Sequence, residues 1–349
     1  MGLLFDRKYS LTIADPTRGD SAIKNVPEYL LLQNASEAKP ISEGTLDTIE
    51  QTSADWRTSS KNGVVIDDLQ ITASIKGSAN TSSNSNSSII KVFNLSKQTR
   101  GIIEKKGNYV ILRAGYAQDE ELRIIFVGQV EEFETSKQGS DLVTTLKCID
   151  GQMPTNSVRI SKKFSRDVTY GTVMNYLVDT YERNGIARGD IMLGGWLYAP
   201  SNYQNLPVIT QQPINYKLIN GYSCTGFLHQ ILDNLCKQLG FVSYITNGKL
   251  FIHPKGYTST VEQYEFTSKQ MKSVRKSGST TSNTSVSNGL DGVKITTFLD
   301  GRLDIDKRIK ILDGDHQGTY KIITKSHELD YKFGSWDSTI ICTQVKEGA

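Results

Sequence analysis

Gly318 to Val345 reads GTYKIITKSHELDYKFGSWDSTIICTQV. Two apolar-alternating segments flank a polar turn. On the outgoing one, Trp336, Ser338, Ile340 and Cys342 fall on one side, with Asp337, Thr339, Ile341 and Thr343 on the other. A side-chain period of two is what a half-buried strand requires. The pattern has an echo upstream, where Leu122 to Asp150 reads LRIIFVGQVEEFETSKQGSDLVTTLKCID. There too an Ile-Ile strand leads through a charged segment and a Gly-Ser to a strand ending near a cysteine. Two such hairpins far apart in one chain predict two related β-domains.

The chain has 349 residues, enough for roughly two or three domains. Its 37% hydrophobic and 22% charged content fits a folded protein with a polar surface. The polar excess lies in Ser/Thr/Asn/Gly-rich tracts, as expected of long loops on β-scaffolds. Net charge is +3, from 40 basic and 37 acidic residues. A phosphate-gripping protein clusters its bases, whereas here they are scattered among acids. The densest run, Lys272 to Gly278 (KSVRKSG), reads as a solvated segment before a linker. Cys148, Cys224, Cys236 and Cys342 form no CxxC and sit in apolar-patterned segments, so they read as reduced core residues. A Cys148–Cys342 contact between equivalent strands is conceivable but not required. The first residues lack the pattern of a signal peptide. No run approaches the roughly 20 apolar residues of a membrane helix.

Arg7 to Ala14 reads as a first strand, followed by an interruption from Asp15 to Gly63 with one apolar knot, Tyr29 to Leu32. Loops of that length are uncommon inside compact domains; we expect this insertion to pack on a neighbouring subunit. The tripeptide Arg18-Gly19-Asp20 reads as a turn. Val64 to Lys76 predicts one strand with Leu69, Ile71, Ala73 and Ile75 on its core face. Gly77 to Ser88 is a Ser/Asn-rich connection. Ile89 to Asn94 is a strand, Ser96 caps a brief helix closed by Gly107, and Tyr109–Tyr116, Arg123–Phe133 and Asp141–Asp150 complete about six strands, enough for a barrel or sandwich.

The middle differs. Thr169 to Arg183 has helical spacing, and Cys224 to Leu239 carries an apolar stripe (Phe227, Leu228, Ile231, Leu232, Leu235, Leu239) with Ser223 or Thr225 as cap and Gly240 as stop. Asn247-Gly248 between two apolar runs predicts a tight hairpin. Trp196 to Tyr216 is a Tyr/Asn/Gln-rich loop suited to facing a partner. Ser277 to Asn288 is a second flexible tract. Val293 to Leu299 and Arg308 to Leu312 precede the closing hairpin. These strands are too few for a stable barrel, so they are expected to borrow others.

Chemistry-bearing patterns are sparse. His327-Glu328 opens like HExxH, but Tyr331 stands where the second histidine must be. Asp313, Asp315 and His316 lie in LDGDHQG, a tight strand connection. His229 reads as a helix-surface residue and His253 as a structural one at a strand end. Asp67-Asp68 and Glu131-Glu132 are adjacent in strands and point to opposite faces. No residue is assigned a catalytic, cofactor-binding or metal-ligating role, and no cofactor is expected.

Four segments stand in order: IIKVFNLSKQTRGIIEKKGNYVILRAGY (Ile89 to Tyr116), IIFVGQV (Ile124 to Val130), FLHQILDNLCKQLGFVSYITNGKLFIHPKG in the middle, and the closing GTYKIITKSHELDYKFGSWDSTIIC. In that order they resemble the baseplate hub proteins of contractile-tailed bacteriophages, which are similar to the hub part of type VI secretion spike proteins. The resemblance implies an α+β fold, mainly antiparallel β, with two tail-tube-like β-barrels and a small helix-hairpin domain. The expected boundaries are 1–154 for the first barrel with its insertion at 15–63, 155–260 for the helix-hairpin domain partly contributing to the second barrel, 261–289 for a flexible linker, and 290–349 for the second barrel's strands. It further implies a non-enzymatic homotrimer in the virion tail baseplate, assembled in the host cytoplasm. Such a ring joins a sixfold tail tube or tube initiator to a threefold central spike and lines a channel that DNA traverses unbound, with other baseplate proteins around it. A cell-wall hydrolase, or a receptor- or carbohydrate-binding tail protein using the Trp196 to Tyr216 loop, are the alternatives.

Overall fold

The computed structural model describes residues 6–14, 63–78, 87–150, 158–184, 186–193, 213–254, 263–277 and 292–345. The readings placed on the Asp15 to Gly63 insertion, the Tyr29 to Leu32 knot, the Arg18-Gly19-Asp20 turn and most of the Trp196 to Tyr216 loop lie outside the described residues. The fold is α+β and mainly antiparallel β.

Alternating apolar residues build a first set of strands: β1 (Arg7–Ala14), β2 (Gly63–Ile66), β3 (Ile71–Ser78), β4 (Ser87–Phe93), β5 (Tyr109–Tyr116), β6 (Arg123–Gln138) and β7 (Asp141–Asp150). Helix α1 (Lys97–Ile103) lies between β4 and β5, and the Ser96 hydroxyl accepts from the Thr99 amide at 3.1 Å as its cap. The expected single strand from Val64 to Lys76 is two. The chain bends at Asp67–Gln70, where the Tyr9 hydroxyl donates to the Leu69 carbonyl at 2.6 Å. Beyond the bend, Ile71, Ala73 and Ile75 are buried as the alternation required.

That bend shapes the domain. The strands pair in the order β3-β4-β7-β6-β5-β1-β2, so β2 and β3 are the outermost members of the run. A flat run of seven strands would hold its ends about 29 Å apart. Four linking residues span at most about 18 Å. The run therefore curls back on itself, around a core that includes Leu11, Ile13, Ile75, Ile90, Leu112 and Leu146.

The last part repeats this plan with β13 (Gln263–Phe266), β14 (Met271–Ser277), β15 (Gly292–Phe298), β16 (Arg308–Ile311), β17 (Gly318–Asp330) and β18 (Trp336–Gln344). Their order is β14-β15-β18-β17-β16-β13. Again the two outermost strands are consecutive in the chain, joined by the four residues Thr267 to Gln270, so this run curls too, around Ile295, Ile309, Ile322, Ile340 and Cys342. Matching strand by strand, β2 corresponds to β13, β3 to β14, β4 to β15, β5 to β16, β6 to β17 and β7 to β18. Strand β1 is the addition, wedged between β5 and β2. Its presence explains a difference in polarity. Strand β13 pairs parallel with β16, while β2 and β5 run parallel to each other but are separated by antiparallel β1.

The expected linker at 261–289 is corrected here, because residues 263–277 form β13 and β14. A bulge between Met271 and Ser273 shifts the register, so Met271 and Val274 both pack on the core although three residues apart. The bulge hid the period of two.

Between the two halves lie β8 (Arg159–Phe164), helix α2 (Tyr170–Arg183), β9 (Ala187–Ile191), β10 (Tyr222–Phe227), helix α3 (Leu228–Leu239), β11 (Phe241–Thr246) and β12 (Lys249–Pro254). They have their own core, including Val173, Leu177, Leu228, Leu232, Leu235 and Ile252. Helix α3 starts four residues later than Cys224, and neither Ser223 nor Thr225 caps it. Tyr222–Phe227 instead pairs with β8, and the Leu228 amide donates to the Val158 carbonyl at 2.9 Å. Gly240 ends the helix at φ 77°, as expected. Asn247 and Gly248 turn the β11–β12 hairpin at φ 51° and 74°.

Candidate assembly interface

The β6–β7 and β17–β18 hairpins share one detailed lattice. On β7, Cys148 sits between Ser88 of β4 and Val130 of β6; on β18, Cys342 sits between Val293 of β15 and Ile322 of β17. In each, the first strand bulges at the residue just past the cysteine's partner: between Val130 and Glu132, and between Ile322 and Thr324. Five residues further toward the hairpin end, hydrogen-bonded polar pairs occupy matching positions. Thr135 and Thr144 join hydroxyls at 2.8 Å, and His327 Nδ1 lies 2.8 Å from Ser338 Oγ. Both cysteines are free and buried, and they belong to separate cores.

Strand β17 also joins the halves. Its first part pairs with β16, and beyond the bulge Thr324–Asp330 pairs antiparallel with Ser78–Thr72 of β3. On the outer face Ser74 donates to Glu328 at 2.7 Å, and at the end Gln70 Nε2 donates to Asp330 at 2.8 Å. On the inner face His327 and Leu329 are buried. Burial, helped by the charge of Lys325, holds the His327 imidazole down to about 3, so it is neutral. Trp336 enters the first core and donates from Nε1 to the Gly115 carbonyl at 3.2 Å, with the Arg7 guanidinium over its ring.

A buried ionic knot holds the middle domain against this junction. Lys325 reaches Asp304 at 2.8 Å and Lys321 reaches Asp306 at 2.6 Å. From the middle hairpin, the Tyr244 hydroxyl donates to Asp306 at 2.5 Å and His253 Nδ1 lies 2.8 Å from it. Burial pushes the Asp306 carboxyl up, but the His253 hydrogen bond and the Lys321 charge outweigh it and hold it down at about 2. Asp304 is likewise lowered, because Lys325 overcomes its burial. The Asn247 and Gly248 amides donate to Asp150 at 3.1 and 3.2 Å, seating the hairpin tip on the end of β7. Burial pushes the Asp150 carboxyl up to about 7 against those two bonds and Lys325. With cations bound to both Asp304 and Asp306, the knot acts as a fastener.

The sequence-marked residues fall into this frame separately. His327 points into the junction and Glu328 out of it, as alternation dictates. Asp313 accepts from the Ser268 amide and hydroxyl at 2.6 and 2.9 Å, bracing the turn between β13 and β14. The His316 carbonyl accepts from Tyr320 at 2.9 Å. His229 stacks on Phe227. Asp67 and Asp68 lie at the bend after β2. Glu131 is the residue skipped by the bulge, and Glu132 pairs with Lys147 at 2.5 Å on the surface. Among the described residues no three His, Cys, Asp or Glu side chains are grouped to hold a metal ion, and no helix is long and apolar enough to cross a membrane. The sequence reading missed the knot. Its signal is the alternation in Leu303-Asp304-Ile305-Asp306, apolar residues into the core and acids toward the lysines.

No protein-family model and no curated protein matches the sequence. Solved structures do. The tail protein from Neisseria meningitidis MC58 aligns at TM-score 0.52 and 9% identity, over 80% of this chain and 93% of that one. The 43 kDa tail protein of prophage MuSo2 from Shewanella oneidensis aligns at 0.52 and 12%, over 80% and 94%. An Escherichia coli component of the type VI secretion system, described as structurally similar to the T4 bacteriophage tail proteins gp27 and gp5, aligns at 0.54 and 10%, over 80% and 75%. The chain has the fold of phage tail proteins and of the type VI secretion proteins built like them. Its two curled halves are tail-tube-like β-domains.

Proposed function

We infer that this chain is a structural hub of a phage-type tail: three copies form a ring that adapts a sixfold tube to a threefold spike and lines the DNA channel. The observation that carries this reading is the doubled module. Six-strand units with matching order, bulges and cysteine positions occur twice per chain, so three chains present six near-equivalent units. The function is assembly without catalysis. A wall hydrolase requires two carboxylates facing one cleft, whereas Asp304 and Asp306 are each bound by a lysine. The expected partners are a tube or tube-initiator protein, a central spike and other baseplate proteins, in a virion tail assembled in the host cytoplasm.

Light scattering and negative-stain microscopy of the purified chain, alone and with tube and spike proteins from the same tail, test this. A trimeric ring with six lobes is expected. A chain that stays monomeric with both partners present overturns it.

A further inference from the structure

The doubled module contains one joint that is made and one that is open. Within the chain, β17 beyond its bulge is paired on its outer edge by β3. The counterpart of that β17 segment is Glu132–Gln138 of β6, and the counterpart of β3 is β14. Among the described residues, the edge of β6 from Glu131 onward, away from β7, carries no strand ladder, and neither does the edge of β14 away from β15. An unpaired edge is a template for another strand.

The two open edges match in chemistry. The β6 segment Glu131 to Gln138 reads EEFETSKQ, with three acids and one lysine; β14 reads MKSVRKS, with three bases and no acid. Glu131, Glu132, Phe133 and Glu134 are all exposed, Phe133 at 39%. The equivalent of Phe133 in the made joint, Lys325, is buried at 6%. The open hairpin thus displays a large apolar side chain at a place that pairing covers in its twin.

We propose that β14 of one copy adds antiparallel to the β6 edge of the next copy, in the register that β3 takes on β17. Carrying Glu328↔Ser74 and Leu329↔Ala73 across the module match places Ser136 opposite Arg275, Lys137 opposite Val274 and Thr135 opposite Lys276. Glu134 then lies one diagonal step from Arg275 on the same face, within reach of a long side chain. The occupant is a second copy of this chain, because each copy supplies both edges, with the repeat and with complementary charge. Each copy has one edge of each kind, so the contact is head-to-tail, the type that forms a ring when the rotation between copies closes. The interface deepens the ring reading and rests on it only for the number of copies.

The test uses the full chain carrying Ser136→Cys and Arg275→Cys, oxidised mildly, beside a control with Ser136→Cys and Lys276→Cys, whose paired side chains point to opposite faces. Directly opposite cysteines are expected to link chains into dimers and trimers on a non-reducing gel, with the control well behind. Charge reversal adds an independent measure. Glu134→Lys or Arg275→Glu alone is expected to weaken association about tenfold, and the two together to restore it. Far-ultraviolet circular dichroism checks that each variant folds. An oligomer that forms without this cross-link, that links best in the control register, or whose β6 edge links to a tube protein instead, overturns the interface and leaves the ring standing. A chain that never associates, alone or with partners, overturns both.

Discussion

Lys325 Nζ lies 2.8 Å from Asp304 Oδ1, with the lysine side chain only 5% exposed. The pair, with the lysine buried and the aspartate partly so, lies where β17 leaves its own module to pair with β3. Lys325 lies opposite Gly77, and a Cβ added there would meet the lysine stem at 2.9 Å. The absent side chain of Gly77 gives Lys325 its path to Asp304.

Removing the cation leaves Asp304 partly buried, with only the Thr246, Asn247 and Ile305 donors to hold its charge. Lys325→Met is expected to destabilise the chain by ~2–3 kcal/mol, at or below the lower end of the loss for a fully buried pair. The double variant Lys325→Met with Asp304→Leu is expected to recover much of that loss. Urea titration followed by circular dichroism measures both. A single variant as stable as the parent would show that the pair is not fastening the junction.

Three groups predict the acid behaviour, and two of them oppose each other. His327 falls from an ordinary 6.5 to about 3 in the fold, so the unfolded chain binds its proton first. Its contribution is complete above 6.5 and is lost as pH falls from there toward 3, with a slope up to about 1.4 kcal/mol per pH unit. Asp150 rises from 3.8 to about 7, so the fold holds its proton longer and its contribution declines as pH rises through that window. His327→Gln is therefore expected to remove stability loss on acidification between 6.5 and 3, and Asp150→Asn to steepen it. Below 3.8 the loss of Asp306 pairing takes over, continuing to about 2. Denaturation midpoints across pH 3 to 7.5 for the three proteins test the signs.

The tip of the middle hairpin depends on backbone conformation. Gly248 has φ 74° and open space around an added Cβ, with only Val127 at 3.8 Å. Gly248→Ala therefore costs left-handed strain alone, ~1 kcal/mol. Asn247→Gly keeps the positive φ of 51° but gives up the Nδ2 donation to Asp304 at 3.2 Å, so it is expected to cost about that hydrogen bond, ~0.5–1.5 kcal/mol. A Gly248→Ala variant as stable as the parent in urea titration would contradict the turn.

Trp336 is the plug between the halves. Trp336→Phe removes the donor to the Gly115 carbonyl and is expected to cost ~1–3 kcal/mol. Trp336→Ala opens a cavity in the first core and is expected to cost ~3–5 kcal/mol. A calorimetric scan showing no change in either would remove Trp336 from the joint.

Strands that carry no extra residue of their own were legible in full. Arg7–Ala14, Tyr109–Tyr116 and Asp141–Asp150 run between the residues where their patterns begin and end. Strands that bulge or pair only at a distance were not. Met271 and Val274 share a face three residues apart, which reads as no strand at all until β15 lies beside them. Tyr222–Phe227 merged with the apolar stripe of α3 because only β8 distinguishes it. The duplication left a further mark in the chain: the Ser/Asn-rich tracts after β3 and after β14 join equivalent strand pairs.

Sequence alone determined the alternation, the helix stripe, the Asn247-Gly248 turn and the repeated hairpin, since each depends on side chains within a few residues of one another. Only the tertiary structure decided that β17 captures β3, that Asp304 and Asp306 meet Lys325 and Lys321, and that one edge of each module type remains open. Those outcomes depend on which strands curl into contact, and the free energy that selects them comes from burial between segments tens to hundreds of residues apart.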